Sequence, residues 1–245
     1  MIFRVTTIED MLHRRNDLST FIVHFTKADS VAGRTGFEQL QSIISAGAIE
    51  ARTAYGAAAK HPQHAESQKV VCFTETPLEH TWTMLDDLAE RRASKFEPFG
   101  LAFTKTYARR NGCNPVWYTD ATRGNDWPIN AINAAIQAER RPPSDKESMF
   151  RVAPFVEQMG TWASTRKEFW WEREWRHIGR FSFAPSNVVA VLAAEDHQGE
   201  LREALSASPR WRNRDVPLLD PKWGLERMIA TLSRVDTRDI GPFPG

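Results

Sequence analysis

The segment from 167 to 180, KEFWWEREWRHIGR, combines acidic, basic and aromatic residues at a spacing that could do chemistry. Glu172, Glu174 and Arg176 stand two residues apart, so in a β-strand their side chains would share one face. Aromatic residues favour strands, and we predict a strand over 171–179. Burial among rings disfavours an ionised carboxylate unless a cation pairs with it. The alternative is a strand end with surface Glu–Arg pairs of small energetic value.

Two other predicted strands carry residues that could complete a site. The run TFIVHFT at 20–26 contains His24 and Thr26, two residues apart and therefore on one strand face. The run KVVCFT at 69–74 contains Phe73 near its end, where a scaffold often displays reactive side chains. A histidine in an apolar strand is more often a core residue, and Phe73 is core by default. A structural role therefore stays open for both residues.

Metal and thiol chemistry are less well supported by the sequence. His61, His64 and His80 have loose spacing with no accompanying cysteine pair, so we predict no metal site. A metal-dependent nuclease built on His61, His64 and acidic residues remains an alternative. Cys72 and Cys113 do not form a CxxC motif, and two cysteines are too few for a disulfide scaffold, which favours reduced thiols.

The elements that must position these residues are a mixture of strands and helices. For example, Phe37, Leu40 and Ile44 follow helical spacing, and Gly47 is suited to end that helix. Asn111-Gly112 favours a hairpin-like connection between two strands. Strands and helices do not alternate regularly, which predicts an α+β fold with a mostly antiparallel or mixed sheet. The predicted helices are 7–15, 36–47, 78–92, 127–140, 147–160, 200–207 and 223–233, and the remaining strands are 99–104, 115–118 and 187–193.

Composition sets the broad class. The chain has 245 residues, 41% hydrophobic and 26% charged, which is typical of a soluble globular protein. We predict a single domain over 1–245, with a helical insert at about 125–160 and a C-terminal extension at about 208–245. The net charge of +1 gives no general attraction to polyanions. With no signal-peptide core and no apolar run of about 20 residues, we predict a cytoplasmic protein with no membrane association.

The order of the motifs adds a resemblance to these patterns. The runs VHFTK, FEQLQSIISAGAI, VVCFTETPLE, FGLAFTK, NPVWY and EREWR follow one another over about 21–193. This series resembles the AbiGi-like abortive phage-resistance family, and its first half is similar to the start of the DarT nucleic-acid ADP-ribosyltransferase toxins. The resemblance implies a split, mostly antiparallel ADP-ribosyltransferase-like sheet and NAD as a substrate.

The resemblance also implies roles for four residues in holding NAD. His24 would hydrogen-bond the ribose, and Thr26 could assist from the same strand face. Phe73 takes the position of the aromatic residue that stacks on nicotinamide, where the transferase pattern often has a tyrosine. Arg52, in the loop before the second aromatic strand, would help to clamp the pyrophosphate.

The late acidic strand takes the catalytic role in this resemblance. Cleavage of the nicotinamide–ribose bond builds positive charge on the ribose, and a nearby carboxylate stabilises that charge. Glu174 takes the catalytic position, and Glu172 is the neighbouring candidate. Both glutamates could instead pair with nearby arginines, which is the purely structural interpretation.

The resemblance implies two kinds of partner. A transferase would act as a phage-defence or toxin–antitoxin effector, and its acceptor could be RNA, DNA or protein. Aromatic and basic residues that could form a stacking and phosphate-binding surface favour nucleic acid, although scattered tryptophans are more often core residues. The alternative is a non-enzymatic antitoxin or interaction protein that binds a cognate partner. The residues considered for the nucleic-acid surface are Trp117, Tyr118, Trp127, Arg109 and Arg110.

Overall fold

A computed structural model of the chain defines the arrangement of most residues. The helix predicted over 7–15 and residues 236–245 of the predicted C-terminal extension lie outside the described residues. Within the described residues, no helix has the length and apolar character that a membrane crossing requires. The structure describes residues 18–61, 65–85, 96–138, 148–162 and 165–235.

Among the described residues, the secondary structure consists of thirteen short strands, six helices with described bounds and a helical segment at 81–85, joined by several 3-10 turns. The strands are β1 (Phe21–Lys27), β2 (Ala48–Ile49), β3 (Thr53–Ala54), β4 (Lys69–Thr74), β5 (Phe96–Thr104), β6 (Asn114–Pro115), β7 (Trp117–Asp120), β8 (Val156–Trp162), β9 (Thr165–Lys167), β10 (Glu174–Ile178), β11 (Phe181–Ser182), β12 (Val188–Leu192) and β13 (Leu218–Leu219). The helices are α1 (Gly36–Ala46), α2 (Lys105–Arg110), α3 (Trp127–Ala138), α4 (Ser148–Val152), α5 (Gln198–Ala207) and α6 (Leu225–Leu232).

The chain divides into two compact units, each built from segments that are not contiguous in the sequence. The prediction of one domain with an insert and an extension stays a prediction. Unit 1 contains Met1–Ser45, Glu75–Lys105 and Ala184–Gly245, and unit 2 contains Ala46–Thr74 and Thr106–Phe183.

Unit 1 is built on strands in the order β13, β12, β5 and β1. β5 pairs antiparallel with β1 and with β12, whereas β12 and β13 are parallel. The inward-facing residues form an apolar core that includes Val23, Ala102, Ala190 and Leu192. The apolar run that predicted a central strand at 187–193 is explained by this position, because β12 has neighbours on both sides.

Helix α1 follows from the spacing of its apolar residues. Phe37, Leu40 and Ile44 are buried, as the 3.6-residue period requires. Gly47 has φ +61°, the left-handed conformation that ends helices and that glycine adopts most readily. The indole N–H of Trp211 donates to the Ile44 carbonyl at 2.9 Å and so ties the helix end to the later part of unit 1.

Unit 2 contains a sheet in which β10 lies between β4 and β6. Both pairings of β10 are antiparallel, and β3 pairs antiparallel with β4. A second, three-stranded sheet has β8 between β7 and β9, with β7 parallel to β8. Helix α3 buries Ile129, Ile132 and Ile136 in the second core of the molecule.

The predicted α+β class with mixed, mostly antiparallel sheets is confirmed. The structure also has strands close to those predicted at 20–26, 69–74, 99–104 and 187–193, and helices close to those predicted at 36–47, 127–140, 200–207 and 223–233. The helix predicted over 78–92 begins as a 3-10 turn at Leu78–His80 and is helical at 81–85, and the rest of the predicted helix lies outside the described residues.

Two sequence predictions about unit 2 are wrong. The helix predicted over 147–160 ends at Val152, and β8 follows, because pairing with β7 and β9 supplies the backbone bonds a helix would otherwise make. The hairpin predicted around Asn111-Gly112 is absent from this described region. Helix α2 leads into that turn instead, and β6 and β7 pair with β10 and β8 respectively.

Candidate functional site at the start of strand β10

Strand β10 is shorter than the sequence predicts. Residues Trp170–Glu172 form a 3-10 turn, and Arg173 has φ +47°, a left-handed conformation that stops the strand from extending backwards. Glu174 and Arg176 therefore share a strand face as predicted, but Glu172 lies in the preceding turn. The prediction that all three share one face is wrong for Glu172.

Arg176 is the centre of the polar site in unit 2. Its side chain is 1% exposed, yet each guanidinium nitrogen has an acceptor. Nε donates to Oε1 of Glu174 at 2.9 Å, and Nη2 donates to Oε2 of the same carboxylate at 2.9 Å. Nη1 donates to the Pro154 carbonyl at 2.6 Å, and Nη2 also reaches Oε2 of Glu157 at 2.7 Å. This is a bidentate arginine–carboxylate pair with a second carboxylate beside it.

Opposite charges in this cluster stabilise one another. Lys167 on β9 donates to Glu157, which gives the two carboxylates two cationic partners. Burial opposes charge on Glu157, but Arg176 and Lys167 hold the pKa of its carboxyl below the usual value. Burial likewise opposes charge on Arg176, but Glu174 raises the pKa of the guanidinium above its usual value. Glu157 and Arg176 are therefore both charged near neutral pH.

This cluster predicts how acid affects stability. Because the pKa of Glu157 is lowered by folding, its stabilising contribution is complete above the unfolded value of about 4.3 and is lost as the pH falls through the folded pKa. We expect Glu157→Gln to be less stable than the wild type at neutral pH and to lose less stability between about pH 5 and about pH 3. Thermal unfolding midpoints across this pH range measure the difference.

The control for this prediction is Glu66→Gln. Glu66 pairs with Lys69 on the surface, where its side chain is 85% exposed, and such pairs contribute about 0–1 kcal/mol. Its pH profile should follow the wild type. Parallel profiles for Glu157→Gln and the wild type would show that folding does not lower the pKa of the Glu157 carboxyl.

Backbone contacts fix the position at which Glu174 leaves the turn. The Glu174 N–H donates to the hydroxyl oxygen of Tyr118 at 3.2 Å, and the Glu174 carbonyl accepts from the Val116 N–H at 2.8 Å. The Thr74 hydroxyl donates to the Glu172 carbonyl at 2.8 Å. Burial raises the pKa of Tyr118 above its usual value, so its hydroxyl stays protonated. The Glu174 side chain is 15% exposed, so solvent can reach it.

Both cysteines are reduced and protonated. Cys72 lies opposite Arg176 in the β4–β10 pairing and therefore on the same face. Burial raises the pKa of the Cys72 thiol well above its usual value, and the charge of Glu174 raises it further. Burial raises the pKa of the Cys113 thiol to about 12. Neither thiol has the thiolate character of a nucleophile.

Phe73 lies on the other face of the β4–β10 pair. Thr74 is opposite Glu174, and Phe73 is opposite Trp175, so alternation puts Phe73 and Glu174 on different faces. The Phe73 ring is 2% exposed and packs edge-on against Phe181 at 5.1 Å between centroids. The structure thus brings the two strands together without bringing these two side chains together.

The other three residues predicted to bind NAD lie on β1 and in the loop between β2 and β3. In unit 1, His24 is half-buried on β1 opposite Leu101. Thr26 is 4% exposed, and its hydroxyl bonds the carbonyl oxygens of Gly36 at 2.7 Å and Phe99 at 3.2 Å. In unit 2, Arg52 is exposed in the loop between β2 and β3. The roles of these residues stay predictions.

The sequence reasoning missed three residues of the polar site. Glu157 was hidden because the segment around it was predicted to be helical, although VEQMGTW has the β-branched and aromatic ends typical of a strand. Lys167 reaches the site through the β8–β9 pairing. Tyr55 belongs to the loop after β3, and the Arg176 guanidinium carbon lies over its ring, 5.0 Å from the centroid.

The structure describes one of the two histidines considered for a metal-dependent nuclease. His61 packs edge-on against Phe150, and His64 lies outside the described residues. Among the residues that are described, no group of three or more His, Cys, Asp or Glu side chains could hold a metal ion.

The residues considered for nucleic-acid binding differ in exposure. Trp117 and Trp127 are 56% and 75% exposed, whereas Tyr118 is half-buried. Arg109 and Arg110 are exposed at the end of α2.

Comparison with known proteins places the chain in a family. A family model described as "Putative abortive phage resistance protein AbiGi, antitoxin" matches residues 41–206, which include β4, β10 and the whole polar site around Arg176. No curated protein and no solved structure matches the chain. Because the family match spans more than half of the sequence, the chain belongs to the AbiGi family of abortive phage-resistance proteins, a family associated with phage defence and toxin–antitoxin systems.

Proposed function

We propose that this protein is an NAD-dependent ADP-ribosyltransferase that acts as an effector in phage defence, with Glu174 as its catalytic carboxylate. The observation that carries the proposal is the setting of Glu174. Its side chain is still 15% exposed, while a buried guanidinium holds both of its oxygens. Membership of the AbiGi family supports the defence role, and the resemblance to DarT-type toxins supports the reaction.

The chemistry requires a fixed negative charge beside the ribose. In ADP-ribosyl transfer, the bond between ribose and nicotinamide breaks and nicotinamide leaves with the bonding electron pair. The acceptor's nucleophilic atom forms the new bond to the ribose, and the proton that it loses passes to solvent water. A carboxylate has about four lone-pair directions, of which Arg176 occupies two, so Glu174 retains acceptor capacity for a ribose hydroxyl. Its negative charge opposes the positive charge that develops on the ribose.

The strand arrangement supports the assignment of Glu174 over Glu172. Residues 70–74 (VVCFT) and the motif EREWR come together in unit 2, because β4 and β10 are antiparallel neighbours. Glu174 starts β10 and has a fixed side chain, whereas Glu172 lies in the turn before it. Phe73 faces away from Glu174, so the proposal does not depend on Phe73 stacking against nicotinamide.

Single-stranded nucleic acid is the acceptor we propose. Trp117 immediately follows Val116, whose N–H is bonded to Glu174, and the Trp117 side chain is 56% exposed. Exposed rings of this kind stack on bases, and Arg109 and Arg110 add positive charge to unit 2. Family membership adds no information about the acceptor.

The test is release of nicotinamide from NAD by the purified full chain, with and without nucleic acid. We expect Glu174→Gln to slow release by about 10²–10³-fold, because the variant keeps the shape of the side chain and removes its charge. Glu66→Gln is the control, since Glu66 is a surface residue paired with Lys69. Equal rates for Glu174→Gln and the wild type would exclude Glu174 as the catalytic carboxylate.

A non-enzymatic antitoxin is the second candidate function. The family description includes the word antitoxin, and unit 2 exposes two tryptophans, Trp117 and Trp170, each by 56%, that a partner protein could contact. The same experiment separates the two functions. Absence of nicotinamide release by the wild type, together with co-purification of a protein encoded by a neighbouring gene, would favour the antitoxin.

A further inference from the structure

We infer that Arg176 is a positioning residue, whose role is to fix the orientation of the Glu174 carboxylate for the proposed transfer reaction. This inference rests on the proposed function and extends it by one residue. Arg176 is 1% exposed, so it acts through Glu174 and not by contact with substrate.

The geometry of the pair determines the direction of the carboxylate. Nε and Nη2 of Arg176 donate to the two oxygens of Glu174, each at 2.9 Å. Two parallel bonds align the plane of the carboxylate with the plane of the guanidinium, which a single bond or a point charge cannot do. Of the glutamate's several rotamers, this pair selects one before any substrate arrives, which lowers the entropy cost of reaching a reactive geometry.

The guanidinium is held in turn by partners on other elements. Nη1 donates to the Pro154 carbonyl in the 3-10 turn before β8, and Nη2 donates to Glu157 on β8 itself. Lys167 on β9 holds the second oxygen of Glu157. Arg176 is therefore fixed from the β8–β9 pair, so the orientation of Glu174 depends on a part of unit 2 outside its own strand.

The loop after β3 contributes a further contact to the guanidinium. The Tyr55 ring lies against it, and the next two residues are packed tightly on the turn before β8. The Ala57 N–H donates to the Ala153 carbonyl at 3.0 Å, and a Cβ added to Gly56 would lie 2.0 Å from that carbonyl oxygen. This bond and the close approach that glycine permits hold the loop against the turn before β8, with Tyr55 beside Arg176.

The experiment compares kcat and KM for NAD in the wild type, Arg176→Lys and Glu157→Gln. Lysine keeps the charge of Arg176 but loses the two-bond contact, so we expect kcat to fall at least tenfold while KM changes by less than twofold. Glu157→Gln keeps the bonds between Arg176 and Glu174 and weakens one anchor, so we expect a smaller fall in kcat, of about threefold. Arg180→Lys is the control, because Arg180 forms an exposed pair with Glu50.

The outcomes are distinct from those of the proposed function. A fall in kcat at constant KM in both variants supports positioning, since a purely structural role would leave both constants of the folded protein unchanged. If Arg176→Lys does not fold, Glu157→Gln decides alone. Wild-type kcat in the folded variants would overturn the inference while leaving the transferase intact. A wild type that releases no nicotinamide would overturn the proposed function and this inference with it.

Discussion

Replacing Arg176 by methionine is expected to destabilise unit 2 by about 3–5 kcal/mol, because removal of one partner leaves an uncompensated charge in a buried site. The variant would leave Glu174 and Glu157, 15% and 13% exposed, without the guanidinium that they share. The Pro154 carbonyl would also lose its donor. Hydrogen exchange of the β10 backbone amides measures this loss locally, since amides open in cooperative segments.

Two further variants are needed to interpret the stability of Arg176→Met. One is a surface control, and the other removes the buried charges together. Arg180→Met should change the stability by less than about 1 kcal/mol, because Arg180 and Glu50 are each 55% exposed. Adding Glu157→Gln and Glu174→Gln to Arg176→Met should recover part of the loss, because the buried charges are then removed together. A change below about 1 kcal/mol for Arg176→Met would contradict the interpretation that this cluster is a buried ionic network.

Replacing Phe103 by alanine is expected to destabilise unit 1 by about 3–5 kcal/mol, the usual range for removing a fully buried phenylalanine ring. Phe103 is 0% exposed on β5, with Ile22 of β1 opposite on one side and Val188 of β12 on the other. Both neighbouring strands constrain the backbone, so the site cannot collapse around the missing ring. Urea unfolding and hydrogen exchange of β5 amides measure the effect.

The control for Phe103 is a change on the surface of the same unit. Val31 is 98% exposed, and Val31→Ala should alter stability by no more than about 0.5 kcal/mol. Exchange of the β5 amides should accelerate in Phe103→Ala and stay at the wild-type rate in Val31→Ala. Equal exchange in the two variants would show that the ring of Phe103 contributes nothing to the core of unit 1.

The accuracy of the sequence predictions depended on how local the determining interactions are. The apolar spacing of Phe37, Leu40 and Ile44 fixed α1, because a helix satisfies its backbone bonds within itself. The segment containing Glu157 was predicted as a helix, but it is a strand because β7 and β9 pair with it. The residue types within the segment do not indicate which strands pair with it.

In the candidate site, too, local sequence patterns predicted some features, and strand pairing determined the others. The two-residue spacing of Glu174 and Arg176 predicted a shared face, and the strand confirms it. The start of the strand was wrong by three residues, because the left-handed conformation of Arg173 separates Glu172 from β10. The side of the sheet that holds Phe73 was set by the register between β4 and β10, which the sequence of either strand alone does not define.

By itself, the sequence determined the α+β class, most of the central strands, the order of the family motifs and the pairing of an acid with an arginine on one strand face. These features depend on alternation, helical period and residue type, all of which act over a few neighbouring residues. Only the tertiary structure decided that Arg176 is buried, that Glu157 and Lys167 complete its charge cluster and that Phe73 faces the opposite side. Burial and charge pairing are properties of residues distant in sequence, so they exist only after the strands have come together.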